Sequence, residues 1–409
     1  MNLATVIDGI HSVGPAWEKR SAMADEAGCI DTENAADIRS IGAARLLQPN
    51  DFGGAQSTIE NHMRAVAAAG EYCMATSWCL AVWSAHGWML AQMPLEGQNE
   101  IWSDPTNLVS ASIVPKNHFR QEGDDVIVSG RFGFGSGCDH APWLSVGGLL
   151  EGDQPSPVIC ALPAEDVIID HKSWNVVGLR GTGSKDLVVA EEVAVPSHRV
   201  LHVSQTMTRR APGQLHYGGP LYTCPWRTTA ILVLAAPVIG AAKAAVRRFQ
   251  ERIDDHFLVA LASTQRHDPA AGYRLAESTA EIQAAELLLY DAAARLDQLG
   301  GVEEVDPVLN ASIIRDCGWG VRSLARAVDR LYEASGANAM REDEPIQRIW
   351  RDVNAARSHA ILTWDHAANM YSKAGNRVTD ALEYLDPDFN QAAQGNYLYR
   401  NASDGFRLV

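Results

Sequence analysis

Gly133-Phe134-Gly135-Ser136-Gly137-Cys138-Asp139-His140-Ala141, followed by Trp143, is the stretch on which the fold turns. Its alternating glycines let the backbone approach a ligand closely and set one small hydroxyl, Ser136, in a tight loop. Ser-Gly pairs are also common in ordinary turns, so a plain turn serine is the competing reading. Cys138, Asp139 and His140 are consecutive and cannot easily converge on one ion. No further ligand cluster accompanies them, so no metal site is expected. Asp139 and His140 are expected to orient the loop.

Outward from this loop the pattern is that of strands. Asn107 to Val114, Val126-Ile127-Val128, Trp143 to Leu150, Pro157 to Leu162 and Leu187 to Val195 are rich in β-branched and apolar residues. Gly, Pro and Asp turns separate them, which predicts an antiparallel β unit over residues 108–203. Residues 1–107 read as helices, with Ala-rich segments at Thr32 to Ala44 and Thr58 to Gly70. The loop Leu46 to Gly54, with its Pro and paired Gly, interrupts them. A linker with Pro212, Gly213, Gly218, Gly219 and Pro220 precedes a helical bundle expected to run to the end, within residues 204–409. Leu275, Thr279, Ile282, Leu289, Ala293 and Leu296 form one packing seam there. Glu286 sits at the step this seam skips and reads as a bundle-edge or subunit-interface carboxylate rather than a catalytic one. The expected class is α+β, mostly α: a helical domain, a central antiparallel β domain and a C-terminal four-helix bundle.

The chain has 409 residues, 46% hydrophobic and 21% charged, which is ordinary for a globular protein. Its formal charge of -16 disfavours nucleic acid and anionic membranes, since a phosphate surface needs a basic face. The seven cysteines are scattered and include no CxxC pair, so reduced thiols are expected. The first residues, Met1 to Thr5, do not resemble a signal peptide. The most apolar stretch, Ala230 to Ala245, is too short and too rich in Ala and Gly to span a bilayer and reads as a buried helix. A soluble cytoplasmic protein is expected.

The order of elements resembles the acyl-CoA dehydrogenase fold over essentially the whole chain. Three motifs resemble its group D, two-component flavin monooxygenase branch, which includes 4-hydroxyphenylacetate and phenolic-steroid hydroxylases. The Ser136 loop is similar to the branch's aromatic-x-Ser-Gly-Cys/Ser-Asp-His motif, with Gly133 and Gly135 where Trp or Ser is frequent. Val109-Ser110-Ala111-Ser112-Ile113-Val114-Pro115 resembles a Ser-rich strand at the pocket. Trp350-Arg351-Asp352 with His359 resembles Arg-Asp-x-His-x-x-x-x-His, with Asn354 at the first His position. Gly178 to Ser184 nearly spells a phosphate loop, but Lys185 comes one residue late and an acidic residue follows. It is similar instead to the family's Gly-x-Arg-x-Thr-Gly-Ser turn, which borders the flavin or simply shapes a turn.

The resemblance implies an oxygenase component that takes FADH2 or FMNH2 from a separate NAD(P)H-dependent flavin reductase. With O2 it would form a C4a-hydroperoxyflavin and hydroxylate an aromatic or heteroaromatic molecule of phenol or indole type. It also implies a homotetramer. Ser136 would hydrogen-bond the flavin N5–H. Gly137, Cys138 and His359 would border the flavin. So would Gly336, Ala337 and Asn338, often from a neighbouring subunit. His86 would take a proton from the substrate as a neutral imidazole, unless it is a satisfied core histidine. Ser112 would assist, unless it is a strand serine paired to backbone. Trp83, Trp88, Tyr217, Tyr222 and Trp226 would line the pocket with His86 and Ser112.

His359 falls near the place where a dehydrogenase carries its catalytic glutamate, and Arg357 to Leu362 contains no Glu. His366, seven residues later and expected on the same helical face, is the alternative. Rival readings are an acyl-CoA dehydrogenase-type oxidoreductase, an N- or S-oxygenase on the same scaffold, and a non-catalytic assembly partner.

Overall fold

The N-terminal segment forms five helices, α1 (Leu3–Ala27), α2 (Thr32–Ile41), α3 (Ile59–Gly70), α4 (Met74–Leu90) and α5 (Leu95–Ile101). Asn2, Asp31 and Thr58 cap the first three, each side chain accepting from a backbone N–H of the first turn. Helix α4 is apolar on every side, and all its residues except Ala85 and His86 are buried. Such a helix belongs inside a protein, and the half-buried His86 is an exception on it. The protein is described by a computed structural model over residues 2–255, 257–258 and 262–375. Residues 376–409 of the expected bundle lie outside that range.

Seven strands follow: β1 (Val109–Glu122), β2 (Asp125–Gly135), β3 (Trp143–Leu150), β4 (Ser156–Pro163), β5 (Ile168–Asp170), β6 (Lys185–Pro196) and β7 (Val200–His202). They form one sheet in the order β5-β6-β2-β1-β3-β4-β7. The pairs are antiparallel as expected, except that β1 and β3 run parallel, with Ser110 opposite Leu144. Topology explains the exception. β1 and β2 make a hairpin, and the chain then crosses the start of β1 to lay β3 on its other edge. The crossing segment is the Ser136 loop, which therefore sits over the first residues of β1.

Short helices α6 (Val203–Met207), α7 (Pro212–Tyr217) and α8 (Pro220–Thr223) lead into α9 (Trp226–Asp255), α10 (Pro269–Leu299), α11 (Pro307–Ala334), α12 (Pro345–Arg357) and α13 (Trp364–Gly375). By length and hydropathy α9 could cross a membrane, but 83% of its apolar window is buried inside the protein. It crosses α3 at Gly70 and Gly240. A Cβ on Gly240 would lie 2.1 Å from the Ala67 carbonyl oxygen, so only glycine permits this approach. Ile282, Leu289, Ala293 and Leu296 of the predicted seam are buried. Glu286 lies 3.5 Å from Lys243, as a bundle carboxylate would.

The expectation that His359 and His366 share a helical face is not met, because α12 stops at Arg357 and α13 begins at Trp364. Ser358 donates its hydroxyl to the Asn354 carbonyl at 2.9 Å, which competes with the helical bonding. Thr363 Oγ1 accepts from the His366 N–H and starts the next helix. All seven cysteines are unbridged.

Candidate active site

Two neighbours fix the Ser136 loop from below. Ser110, at the start of β1, donates its hydroxyl to the Ser136 carbonyl at 2.8 Å. Trp83 of α4 donates its indole N–H to the Gly137 carbonyl at 3.2 Å. Gly137 is left-handed at φ 69°, and a Cβ there would lie 2.6 Å from Trp83 Nε1. Glycine is therefore required by both conformation and space. Trp83 is 2% exposed, so it acts as a clamp beneath the loop rather than an open wall.

The residues after Gly137 secure the loop from the side. Lys185 Nζ holds both Asp139 oxygens at 2.6 and 2.7 Å. His140 Nε2 pairs with the Ile30 carbonyl at 2.9 Å, and Arg39 donates to the His140 carbonyl. Both residues thus orient the loop. The Cys138 thiol turns inward to the Gly183 carbonyl, and burial pushes its pKa up to about 12. It is a protonated thiol, and only its backbone remains for a ligand.

The turn before β6 meets the loop directly. Ser136 Oγ lies 2.7 Å from Ser184 Oγ, which lies 2.7 Å from Thr182 Oγ1. Gly137 N–H donates to the Thr182 carbonyl at 2.9 Å, and Cys79 of α4 reaches the same carbonyl. Ser110, Thr182 and Ser184 were not singled out from the sequence. The Gly-Thr-Gly-Ser spelling of the turn was the available signal. Phe134 is a second unforeseen feature, since it takes φ 68° and is 71% exposed. A bulky residue held left-handed beside a glycine loop is a mark of functional sites.

Helix α4 spans the site lengthwise. Trp78 stands with its ring centroid 6.0 Å from that of His359. Cys79 touches the Thr182 turn, Trp83 holds Gly137, and His86 approaches Val109 of β1. From Trp78 to His86 is eight residues, or about 12 Å of helix. His86 Nδ1 and Ser84 Oγ are buried with no protein partner among the described residues. Burial lowers the His86 pKa to about 4, against a partly compensating bond to the Val109 backbone, so the ring is neutral. His359 is exposed in the turn after α12, and desolvation lowers its pKa.

The other predicted residues are distributed unevenly. Ser112 donates its hydroxyl to the Gly133 carbonyl at 2.5 Å, which is the backbone-paired alternative, and only its lone pairs remain for a ligand. Trp88 donates to the Leu221 carbonyl at 2.9 Å, and Tyr222 donates to the Leu47 carbonyl at 3.0 Å. Tyr217 donates to Gln98 Oε1 at 2.6 Å and packs on Tyr222 with centroids 4.9 Å apart. Trp88 and Tyr222 are packed into the core, and Trp226, at the start of α9, is 8% exposed, so the structure brings together only part of this predicted set. Gly336, Ala337 and Asn338 are exposed beyond the end of α11, as a contact with a second subunit would require. His366 lies 3.5 Å from an Arg227 nitrogen.

The Arg351-Asp352 motif is structural. Arg351 grips both Asp25 oxygens and the Val177 carbonyl. Asp352 accepts from the Leu179 N–H at 2.6 Å, and burial raises its pKa to about 7. Asn354 bonds Asp329 Oδ1 at 3.0 Å.

These features fit the reduced flavin that the resemblance implies. A serine hydroxyl stands on a glycine-flanked loop, and two buried polar atoms on the adjoining helix await partners. Ser136, Gly137, His86 and His359 would border such a ring.

Residues 232–364 match the family described as Acyl-CoA dehydrogenase, C-terminal domain. The oxygenase subunit HsaA of a flavin-dependent monooxygenase from Rhodococcus jostii is 34% identical over 378 residues, covering 90% of this chain and 98% of that one. The oxygenase component of the FADH(2)-dependent resorcinol hydroxylase of a Rhizobium species is 29% identical, over 90% of this chain and 93% of that one. The crystal structure of the HsaA monooxygenase from M. tuberculosis superposes with a TM-score of 0.85 at 30% identity, over 92% of this chain and 98% of that one. A relationship of this depth, end to end, is shared descent and not fold alone: the chain belongs to the oxygenase subunits of the flavin-dependent monooxygenases.

Proposed function

We propose that this oxygenase takes reduced flavin from a separate NAD(P)H-dependent reductase and hydroxylates a flat phenol- or indole-type ring. One atom of O2 enters the product and the other leaves as water. When bound, the reduced flavin supplies the two electrons this requires. The chain's own residues do the rest. Ser136 holds the ring through its hydroxyl, and Trp83 keeps that hydroxyl in place. The buried surroundings exclude water, which strengthens each polar contact.

The observation that carries this reading is His86. It is neutral and unpartnered at Nδ1, and it lies on the same helix as the Trp83 clamp. A neutral imidazole can accept the proton of a phenol O–H or indole N–H and raise the ring's nucleophilicity. Resorcinol, named for one relative, is such a phenol. The stacked Tyr217 and Tyr222, beside the linker, would suit a planar substrate. Ser112 contributes a lone pair rather than a proton. His359, beside Trp78, is the group available to the opposite end of the flavin site.

The reading extends to assembly and location. Tyr273 and Leu287 on α10 and Trp319 on α11 are large apolar residues left exposed, which supports a homotetramer with Gly336, Ala337 and Asn338 reaching a neighbour's flavin. The protein acts in the cytoplasm. The test combines the purified chain, a general NADH:flavin reductase and a panel of phenols and indoles, with mass spectrometry of the products. A product heavier by one oxygen supports the proposal. Flavin reduction by an acyl-CoA, with no oxygen consumed, overturns it.

A further inference from the structure

We infer that Thr182 and Ser184 fix the proton direction of the Ser136 hydroxyl, so that Ser136 accepts but does not donate, and the site thereby selects reduced over oxidised flavin. This rests on the reading that Ser136 faces the flavin ring. Neither Thr182 nor Ser184 need touch the flavin; they act through Ser136.

Three hydroxyls stand in a row that ends on a carbonyl. Ser136 Oγ is 2.7 Å from Ser184 Oγ, Ser184 Oγ is 2.7 Å from Thr182 Oγ1, and Thr182 Oγ1 is 2.7 Å from the Leu179 carbonyl oxygen. Each hydroxyl has one proton and two lone pairs, whereas the carbonyl can only accept. Thr182 must therefore donate to Leu179. Its oxygen then receives the Ser184 proton, and Ser184 receives the Ser136 proton. The reverse order would press two sets of lone pairs together at the Thr182–Leu179 contact. All three side chains are buried, so no bulk water can relieve that clash. Only lone pairs of Ser136 remain for a ligand.

The end of the row is itself held rigid. Leu179 is left-handed at φ 54°, an uncommon conformation for such a side chain, and Asp352 of α12 grips its N–H at 2.6 Å. Gly183, at φ 53°, lets the turn double back toward Ser184. The Arg351-Asp352 motif thereby gains a purpose, since it seats the carbonyl from which the polarity begins.

The chemistry of the ring completes the inference. Reduced isoalloxazine carries a hydrogen at N5, and the oxidised ring carries a lone pair there. An acceptor-only Ser136 pairs with the first and opposes the second. A freely rotating serine could serve both.

The experiment is an anaerobic titration of the full chain with reduced and with oxidised FAD and FMN, following flavin absorbance and fluorescence. The readout is the ratio of the oxidised to the reduced Kd. General damage to the site weakens both states and leaves the ratio alone. Thr182→Val should lower the ratio by roughly tenfold, the equivalent of one hydrogen bond. Thr182→Ser, which keeps the hydroxyl, should hold it near the wild-type value. Should Thr182→Val not fold, Ser184→Ala makes the same cut one step along and should give the same fall. An unchanged ratio in these variants, with Ser136→Ala lowering it, overturns the relay while leaving Ser136 at the flavin. A ratio unmoved by Ser136→Ala overturns both.

Discussion

Trp83 donates its indole N–H to the Gly137 carbonyl at 3.2 Å and thereby ties the helix that carries His86 to the loop that carries Ser136. In the proposed function, one buried contact would position both the proton acceptor and the flavin-holding hydroxyl. Trp83→Phe keeps most of the apolar bulk but removes the donor and part of the ring. It should cost about 1–2 kcal/mol in stability, the penalty for one buried bond. It should also raise the hydrogen peroxide released per NADH consumed. A peroxide assay beside a denaturant melt measures both effects.

Gly137→Ala meets two obstacles. The left-handed backbone costs an L-residue about 1–2 kcal/mol, and the new methyl would press on Trp83 Nε1 at 2.6 Å. The expected outcome is a lower Tm together with weaker binding of reduced flavin. A variant with wild-type Tm and affinity would show that the loop has more freedom than its contacts imply.

His86→Asn should separate oxygen use from product formation. The asparagine retains polarity but cannot take up a substrate proton, so hydroxylation should fall by about a hundredfold. Oxygen consumption should stay near wild type, with the difference appearing as hydrogen peroxide. Oxygen electrode traces set against product yield measure the split.

His62 provides a pH prediction. It is fully buried on α3, and desolvation lowers its pKa from 6.5 to about 3. The unfolded chain takes up this proton below about pH 6.5, whereas the folded chain stays neutral. Stability present above that pH is therefore lost as pH falls toward 3, by about 1.4 kcal/mol per pH unit for this residue. His62→Leu should flatten the acid limb of the stability curve. Asp352, with its raised pKa, contributes with the opposite sign, and it cancels in the comparison of the two proteins. Denaturant midpoints from pH 4 to 7 for both test it.

The layering of helices, sheet and bundle was legible because periodicity and turn residues are local signals. The Ser136 loop was legible for the same reason, since its glycines and Asp139-His140 are contiguous. What escaped were partnerships across the chain. Ser184 is 48 residues from Ser136, and Asp352 is 173 residues from the Leu179 N–H it holds. No periodicity links such pairs; only the crossing of β1 and the docking of α12 bring them together. The parallel β1–β3 pair escaped because strand direction depends on which edge the returning chain takes. Ser112 could be read either way, and its choice of Gly133 over a ligand depends on how β1 lies against β2. The break between α12 and α13 was hidden because Ser358 and Thr363 interrupt a helix through side-chain bonds, with no Pro or Gly between them.

The central claim is that this chain delivers oxygen from O2 to an aromatic ring with electrons from reduced flavin. The most direct measurement is a single turnover. Protein loaded anaerobically with reduced flavin and a phenol or indole is mixed with oxygen-18 gas, and the products are weighed by mass spectrometry. The account predicts one labelled atom per product molecule and no label when the gas is ordinary oxygen and the water is labelled. Label entering from water, or flavin oxidised across the substrate panel with every substrate returned unchanged, would contradict it.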